Sequence, residues 1–537
     1  MSTMDILKDK AIDAQRVYDY LSNLLGIETK LPVSFIVDIN TEAELKKNYL
    51  KENPFPHVIA FALAKLRKAG VNKLFMEEKV LQTPLIAAIL SLCAELATEI
   101  GELRGDNFNN DKIYTDIAYS GMQAIRLYMA NTKDKKFGKV RLNSAIRVDN
   151  AINGSFYKYK TKDDRYVSFH VYYQSQQKKL VEELGLKKAS EKFTLMSTKR
   201  DIKYLKSVVK ELNSYELEER SFKCGACACV LRDRDEWEKT EVGNAVKNMP
   251  LIRFKDYDKS KLDFGTDLSR GPLTGIKVLD LTHIIAGPAA SRILAEYGAD
   301  VLMVRRGTYM EQEQAMLELD GWAGKDSIQL DFNKPEDLAR MKELIKEAHI
   351  ITCSYQNGCF DKFGLSLSEI RKINPNIIYS NLMCFSDTVW KDRPGWAPLA
   401  EDITGLSVRN GSKENPVNLN GVPLDYIPGM VLAMGSLMAI RDNLKDGRIT
   451  DVTTSLTRGA MLLHEATDFC SEKKEPSNNT SIQYEGIDEA FKTSRIYVDT
   501  KAIGSVGFPS PAVYHTKYNK TINNMTFSDS NKDFKTK

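Results

Sequence analysis

The feature that most constrains this chain is one stretch of sequence, Ile276-Lys277-Val278-Leu279-Asp280-Leu281. It is followed by a Gly/Pro turn, a helical segment over 289–297 and a second apolar run over 300–304. Strand, helix and strand within about thirty residues form the βαβ unit of a parallel sheet. The alternation continues with a helix over 335–347, a buried strand over 349–354, a helix over 366–373 and a strand over 377–383. A doubly wound, parallel-sheet α/β domain is therefore predicted over 272–470, with ligands expected at the carboxyl ends of its strands.

A chain of 537 residues is too long for one core, so further domains are expected on either side. Residues 1–135 read as a helical segment, most deeply buried over 80–97, and the basic stretch 133–139 reads as a linker. From Tyr157 the pattern turns to short strands. Tyr166-Val167-Ser168-Phe169-His170-Val171-Tyr172-Tyr173 alternates and is aromatic and β-branched, and Lys/Glu-rich helices follow, which predicts a small α+β domain over 140–258. Residues 471–537, rich in Ser, Asn, Thr and Lys, read as a polar tail or arm. An internal echo also stands out. The apolar helix 85–97 followed by Ile113-Tyr114-Thr115-Asp116-Ile117 parallels 430–440 followed by Arg448-Ile449-Thr450-Asp451-Val452, as a duplicated or rearranged unit would.

The 76 basic and 72 acidic residues are interleaved and sum to +4, which leaves no continuous basic face for nucleic acid. The most apolar runs, 85–92 and 430–440, fall short of the roughly 20 residues that cross a bilayer, so no membrane partner is expected. Asp5, Lys8, Asp9 and Lys10 break any secretory h-region, and eight cysteines without a paired framework suit a reducing, cytoplasmic location.

Four motifs could carry chemistry. Thr282-His283-Ile284-Ile285-Ala286-Gly287-Pro288 ends a strand and opens a helix, where small residues let a ligand approach the backbone. The same residues also make a tight turn with no ligand, and neither a dinucleotide fingerprint nor a P-loop is present. Arg305 and Arg306, after the second strand, suit a phosphate or a solvated loop equally. Cys224-Gly225-Ala226-Cys227-Ala228-Cys229 is at most half of a tetrahedral site, and the six histidines are scattered, so no metal is expected. In Gly421-Val422-Pro423-Leu424-Asp425-Tyr426-Ile427-Pro428-Gly429, one carboxylate stands at the start of a buried helix. There the dipole stabilises an anion, and an N-cap aspartate has the same signature.

In order and spacing these segments resemble the class III CoA-transferase family (CaiB/BaiF type), which includes formyl-CoA transferase, carnitine CoA-transferase and α-methylacyl-CoA racemase. The likeness runs through Pro272-Leu273-Thr274-Gly275, Ala286-Gly287-Pro288, Tyr297-Gly298-Ala299-Asp300, Lys325-Asp326-Ser327, Phe363-Gly364-Leu365, Asn374-Pro375, Arg393-Pro394-Gly395-Trp396 and the run ending at Gly429. The resemblance implies that Asp425 is the catalytic carboxylate. It implies contacts with coenzyme A from Ala286 in the first loop, Arg306, Leu330, Tyr355 and Lys362. The sequence departs from the family at Ile285, Met303, Arg305 and Ser354, and the small domain precedes the α/β domain instead of following it.

The activity so implied is transfer of CoA between an acyl-CoA and a carboxylic acid through an aspartyl covalent intermediate. Coenzyme A would be a substrate, with no cofactor permanently bound, and the protein would be a homodimer or a pseudo-dimeric single chain. The alternatives are acyl-CoA racemisation, with His283 exchanging a proton, and a non-catalytic descendant of the family.

Overall fold

A computed structural model of the chain describes residues 3–38, 78–129, 131–132, 157–186, 199–306, 319–477, 480–484, 495–500, 504–518 and 534. The basic stretch 133–139 and Gly307 lie outside the described residues.

The chain opens with helix α1 (Thr3–Leu25), strand β1 (Val33–Ile36), the long helix α2 (Gln82–Leu103) and strand β2 (Ile113–Asp116). Short helices α3 (Ile117–Gln123) and α4 (Arg126–Met129) and the two-residue strand β3 (Asn131–Thr132) follow. The segment predicted to be helical thus also holds three strands, of which β1 and β2 pair in parallel. All four residues of β1 are buried, and a short apolar run with both faces covered carries no period that separates strand from helix.

The next unit is the antiparallel sheet of β4 (Tyr159–Lys160), β5 (Tyr166–Phe169) and β6 (Ala228–Val230). Short helices between residues 174 and 248 cover it around a core of Tyr159, Val167, Phe169, Leu180, Leu205 and Leu217. Cys227 and Cys229 are buried beside Trp237 and Phe385, packed as small apolar side chains. The unit ends earlier than predicted, because β7 (Arg253–Lys259) leaves it and pairs antiparallel with the last strand of the large sheet.

That sheet contains β8 (Lys277–Leu281), β9 (Asp300–Arg305), β10 (Asp326–Gln329), β11 (Ile350–Cys353), β12 (Ile378–Met383) and β13 (Arg448–Ser455), in the order β10-β9-β8-β11-β12-β13-β7. Every pairing except that with β7 is parallel. Alternate residues point to opposite faces. Val278, Val301, Ile350 and Ile378 pack with helices α5 (Ala286–Glu296) and α9 (Pro423–Asp446), while Leu279, Leu302 and Ile351 pack with α6 (Pro335–Glu347) and α7 (Leu367–Ile373). Helices α8 (Ala397–Ile403) and α10 (Leu456–Ser471) complete the layer next to the antiparallel unit. This is the doubly wound arrangement expected. The strand order reverses between β8 and β11, which opens a crevice at their carboxyl ends.

Helices α2 and α9 lie against each other, and the Cys93 thiol approaches the Met430 carbonyl at 4.0 Å. Each is long and apolar enough to cross a membrane by length and composition, and each is buried in the protein.

The segment read as a polar tail contributes strands instead. Strand β14 (Thr480–Gln483) pairs with β1, β17 (Val513–His515) pairs with β2, and β15 (Arg495–Thr500) with β16 (Gly504–Pro509) forms a hairpin that reaches β3. The open edges of β1 and β2 expose unpaired N–H and C=O groups, and these late segments satisfy them despite their polar composition.

Candidate active site

The predicted contacts follow the carboxyl ends of four neighbouring strands. His283 and Ala286 come after β8, Arg306 after β9, Leu330 after β10, and Tyr355 and Lys362 after β11. At the switch point the His283 and Tyr355 rings stack with centroids 4.3 Å apart. Phe360 meets Tyr355 edge-on at 5.1 Å, and the His283 backbone N–H donates to Ser354 Oγ at 3.1 Å.

The two loops are forced together by Gly287, where a Cβ would stand 2.6 Å from Thr282 Cβ and 2.7 Å from Ser354 Cβ. Ile284 adopts φ +67°, a left-handed conformation that is strained for a β-branched residue and concentrates at ligand sites.

The turn is anchored from below. Asp280 is wholly buried and accepts bonds from Thr282, Ser291, Thr352 and the Lys325 ammonium, the last at 2.7 Å. Lys325 Nζ also donates to the Pro288 carbonyl at 2.9 Å. Burial lowers the Lys325 pKa, against the pull of Asp280.

Arg306 is exposed just past the end of β9. Arg305 is not on a solvated loop: it is the last residue of β9, buried, with its guanidinium 4.8 Å from the Trp322 ring centroid. Leu330 is buried in the cluster that holds Leu302, Val304 and Ile328. Lys362 is exposed, with its ammonium 4.8 Å from the Phe363 ring centroid.

Asp425 lies at the third position of α9, whose cap residue is Val422 and makes no side-chain cap bond. It is therefore not an N-cap aspartate. Along α9, Gly429 packs so closely on α5 that a Cβ there would stand 2.1 Å from the Ala286 carbonyl oxygen. Asp425 precedes that contact by one turn, about 6 Å along the axis. The second turn of α9 thus meets the end of the first loop of the sheet, one turn beyond Asp425.

The Asp425 side chain is half-buried and, among the described residues, no hydrogen bond reaches its carboxylate, so burial pushes its pKa up to about 7. Its charge acts on a second buried carboxyl, Glu401 of α8. Burial, then the charges of Asp402 and Asp425, raise Glu401 to about 8, although Asn418 Nδ2 and the Leu419 N–H both donate to it, at 2.9 and 3.1 Å. Burial lowers the His283 imidazole to about 4, which leaves it neutral near pH 7.

Several residues around the site carry no sequence motif. The Val422 N–H donates to the Ala124 carbonyl at 2.9 Å, and Gln82 Nε2 donates to the Asn420 carbonyl at 3.1 Å. Arg126, fully buried, donates to Asp320 at 3.0 Å, and the Tyr426 hydroxyl donates to the same carboxylate at 3.5 Å. The N-terminal region thus closes over the turn that carries Asp425. Glu401 and Asn418 are the other two omissions. Only a polar residue among apolar ones on α8 marked Glu401, a pattern shared by many helices.

The carboxyl pair makes stability depend on pH. Both folded-state values lie above the ordinary carboxylate range, so folding takes up protons. The stability these groups contribute is whole below about pH 4 and is lost as the pH rises through about 7 and then 8. Each group costs up to about 1.4 kcal/mol per pH unit within that window. Urea unfolding at pH 5 and pH 8.5 is expected to show a larger loss for the native protein than for Glu401→Gln. Equal losses would contradict the placement of Glu401 as a buried ionisable group.

In sequence the chain is similar to known CoA-transferases. Residues 273–502 match the model of CoA-transferase family III. An acyl-CoA transferase of Gibberella moniliformis is 29% identical over 263 residues, 46% of this chain and 46% of that protein. The β subunit of a succinyl-CoA–L-malate CoA-transferase of Chloroflexus aurantiacus is 30% identical over 219 residues, 38% of this chain and 52% of that protein. Among solved structures, a CaiB/BaiF family protein of Brucella suis aligns with TM-score 0.33 at 22% identity, covering 44% of this chain and 65% of the other. The chain spans about half the length of the curated relatives it matches. Residues 273–502 of this chain are similar to CoA-transferase family III.

Proposed function

We propose that the protein transfers coenzyme A between an acyl-CoA and a carboxylic acid through a covalent intermediate on Asp425. The observation that carries this reading is a half-buried carboxylate that no hydrogen bond reaches among the described residues, raised to about 7, in the first turn of a helix packed on the loop that follows β8. A desolvated carboxylate is a stronger nucleophile than a solvated one, and its pKa keeps much of it ionised near neutrality. The named relatives act on acyl-CoA and on succinyl-CoA with L-malate, which fits a thioester donor and a carboxylate acceptor.

In the first step an Asp425 oxygen attacks the thioester carbonyl, the C–S bond breaks, and CoA leaves as thiolate from a mixed anhydride. The thiolate then attacks the aspartyl carbonyl, releasing the donor's acid as carboxylate and leaving CoA on Asp425 as a thioester. The acceptor carboxylate attacks that thioester, the C–S bond breaks to give a second mixed anhydride and CoA thiolate, and the thiolate attacks the acceptor's carbonyl, forming the new acyl-CoA and freeing the Asp425 carboxylate. Backbone N–H groups in the first turn of α9 are suited to the oxyanion formed at each stage. Arg306 and Lys362 supply positive charge for the phosphates of CoA, and the Tyr355–His283 stack supplies an apolar face. The racemase alternative assigns proton exchange to His283, whose ring is already engaged with Tyr355 and Ser354.

The internal echo supports a pseudo-dimeric chain, in which α2 and β2 stand to α9 and β13 as one half to the other. With Pro84 matched to Pro428, the counterpart of Asp425 is Leu81, so one of the two halves would carry the chemistry.

Binding tests the reading before chemistry does. Free CoA, acetyl-CoA and succinyl-CoA are each expected to raise the melting temperature, with about 2.7 kcal/mol of added stability at a ligand concentration of 100 Kd. No rise with any of the three would favour the non-catalytic descendant.

A further inference from the structure

Glu401 is fastened to a buried polar cluster outside the carboxyl pair. Its neighbour Asp402 is wholly buried and accepts the Lys158 ammonium at 2.6 and 2.5 Å, Ser168 Oγ at 2.6 Å and His170 Nε2 at 3.3 Å. Lys158, Ser168 and His170 all belong to the strand region of the antiparallel unit. Asn418 joins the two carboxyl groups, because its Nδ2 lies 2.9 Å from Glu401 Oε2 and 3.3 Å from Asp402 Oδ1. An amide that faces two acceptors can turn only its NH2 toward them, which fixes its orientation.

We propose that Asp402 is a positioning residue, which holds the Asn418 amide against Glu401 and thereby makes the antiparallel unit around β5 part of the Asp425 site. The proposal rests on the reading of Asp425 as nucleophile, but its geometry stands apart from that reading.

A purely structural joint would not need these charges. Replacing a buried ion pair by apolar side chains of similar size is often neutral or stabilising. Here the pair is retained one residue from Glu401. Nor is the cluster a metal centre. His170, Cys229 and Asp402 offer three donor atoms within 4.8 Å of one another, but the Lys158 ammonium bonds both Asp402 oxygens and takes the place of a cation.

Burial alone would raise the Asp402 pKa, yet Lys158 and His170 hold it well below the usual carboxylate range, so Asp402 stays charged beside Glu401. The other groups facing α8 are Cys229 of β6, Asp425 of α9, and Arg409 with His464 of α10. Those last two bond each other, and His464 also meets the Thr404 carbonyl.

The test compares Asp402→Asn with the double variant Lys158→Met/Asp402→Leu, which removes both charges without leaving one unpaired. The readouts are the Glu401 titration midpoint, followed by 13C NMR and assigned with Glu401→Gln, the Asn418 side-chain amide resonances, and the rate of CoA exchange. Both variants are expected to lower the Glu401 midpoint by about half a unit or more, because a neighbouring negative charge is gone. They are also expected to lower kcat on the order of 10-fold to 100-fold with KM little changed, because a displaced acid misaligns the reacting groups. A folded double variant with an unmoved midpoint and native kcat overturns the proposal. If the wild-type protein shows no exchange but the Asn418 side-chain amide resonances shift in both variants, positioning by Asp402 stands and the transferase reading falls.

Discussion

Asp425→Ala is expected to abolish CoA exchange while leaving acyl-CoA binding nearly intact. The side chain serves a covalent step, and removing the nucleophile from such a step typically costs several orders of magnitude in kcat. CoA affinity should rest instead on the loops after β8, β9 and β11, which the substitution does not touch. Hydroxylamine supplies a second readout. In the presence of an acyl-CoA it should inactivate the native protein and mark Asp425, since both the mixed anhydride and the aspartyl thioester are open to it. Under the racemase alternative no adduct forms, and solvent deuterium enters the α-carbon in a manner sensitive to His283→Ala. An Asp425→Ala protein that still exchanges CoA would end the assignment.

The second large effect is expected at Lys325. Lys325→Met leaves Asp280 buried without its counter-charge, and breaking a buried pair by removing one partner costs about 3–5 kcal/mol. The loss should lower the melting temperature on the order of 10 °C. It should also weaken CoA binding, because Lys325 Nζ holds the Pro288 carbonyl at the end of the first loop. The double variant Asp280→Asn/Lys325→Met removes the stranded charge and is expected to recover part of the stability. A Lys325→Met protein within about 1 kcal/mol of the native one would place the pair among the energetically silent ones.

Both effects act on residues of different legibility. Asp425 stood out because a lone carboxylate interrupted an apolar, Gly- and Pro-bounded run, and because the resemblance assigned it a role. The supporting features were not visible. Asn418 joins Glu401 to Asp402 only once α8 and the turn before α9 meet, and Arg126 reaches Asp320 across 194 positions of sequence. Arg305 and Arg306 are adjacent in sequence, yet the first is the buried last residue of β9 and the second lies past the strand's end and is exposed.

The sequence alone determined the parallel strands β8, β9, β11 and β12, since short apolar runs joined by helical segments bury both faces in only a few ways, whereas the polar β10 (Asp326–Gln329) was not legible. It also determined that the predicted contacts follow strand ends, because loops begin where the apolar runs stop. Tertiary structure decided what depends on partners far away in the chain. Segments after residue 477 became strands because β1 and β2 had open edges. β7 left the antiparallel unit because β13 offered one as well. The elevated pKa values of Asp425 and Glu401 arise from burial by α5, α8 and the N-terminal region, and desolvation belongs to the assembled surroundings of a group, which no local stretch of sequence encodes.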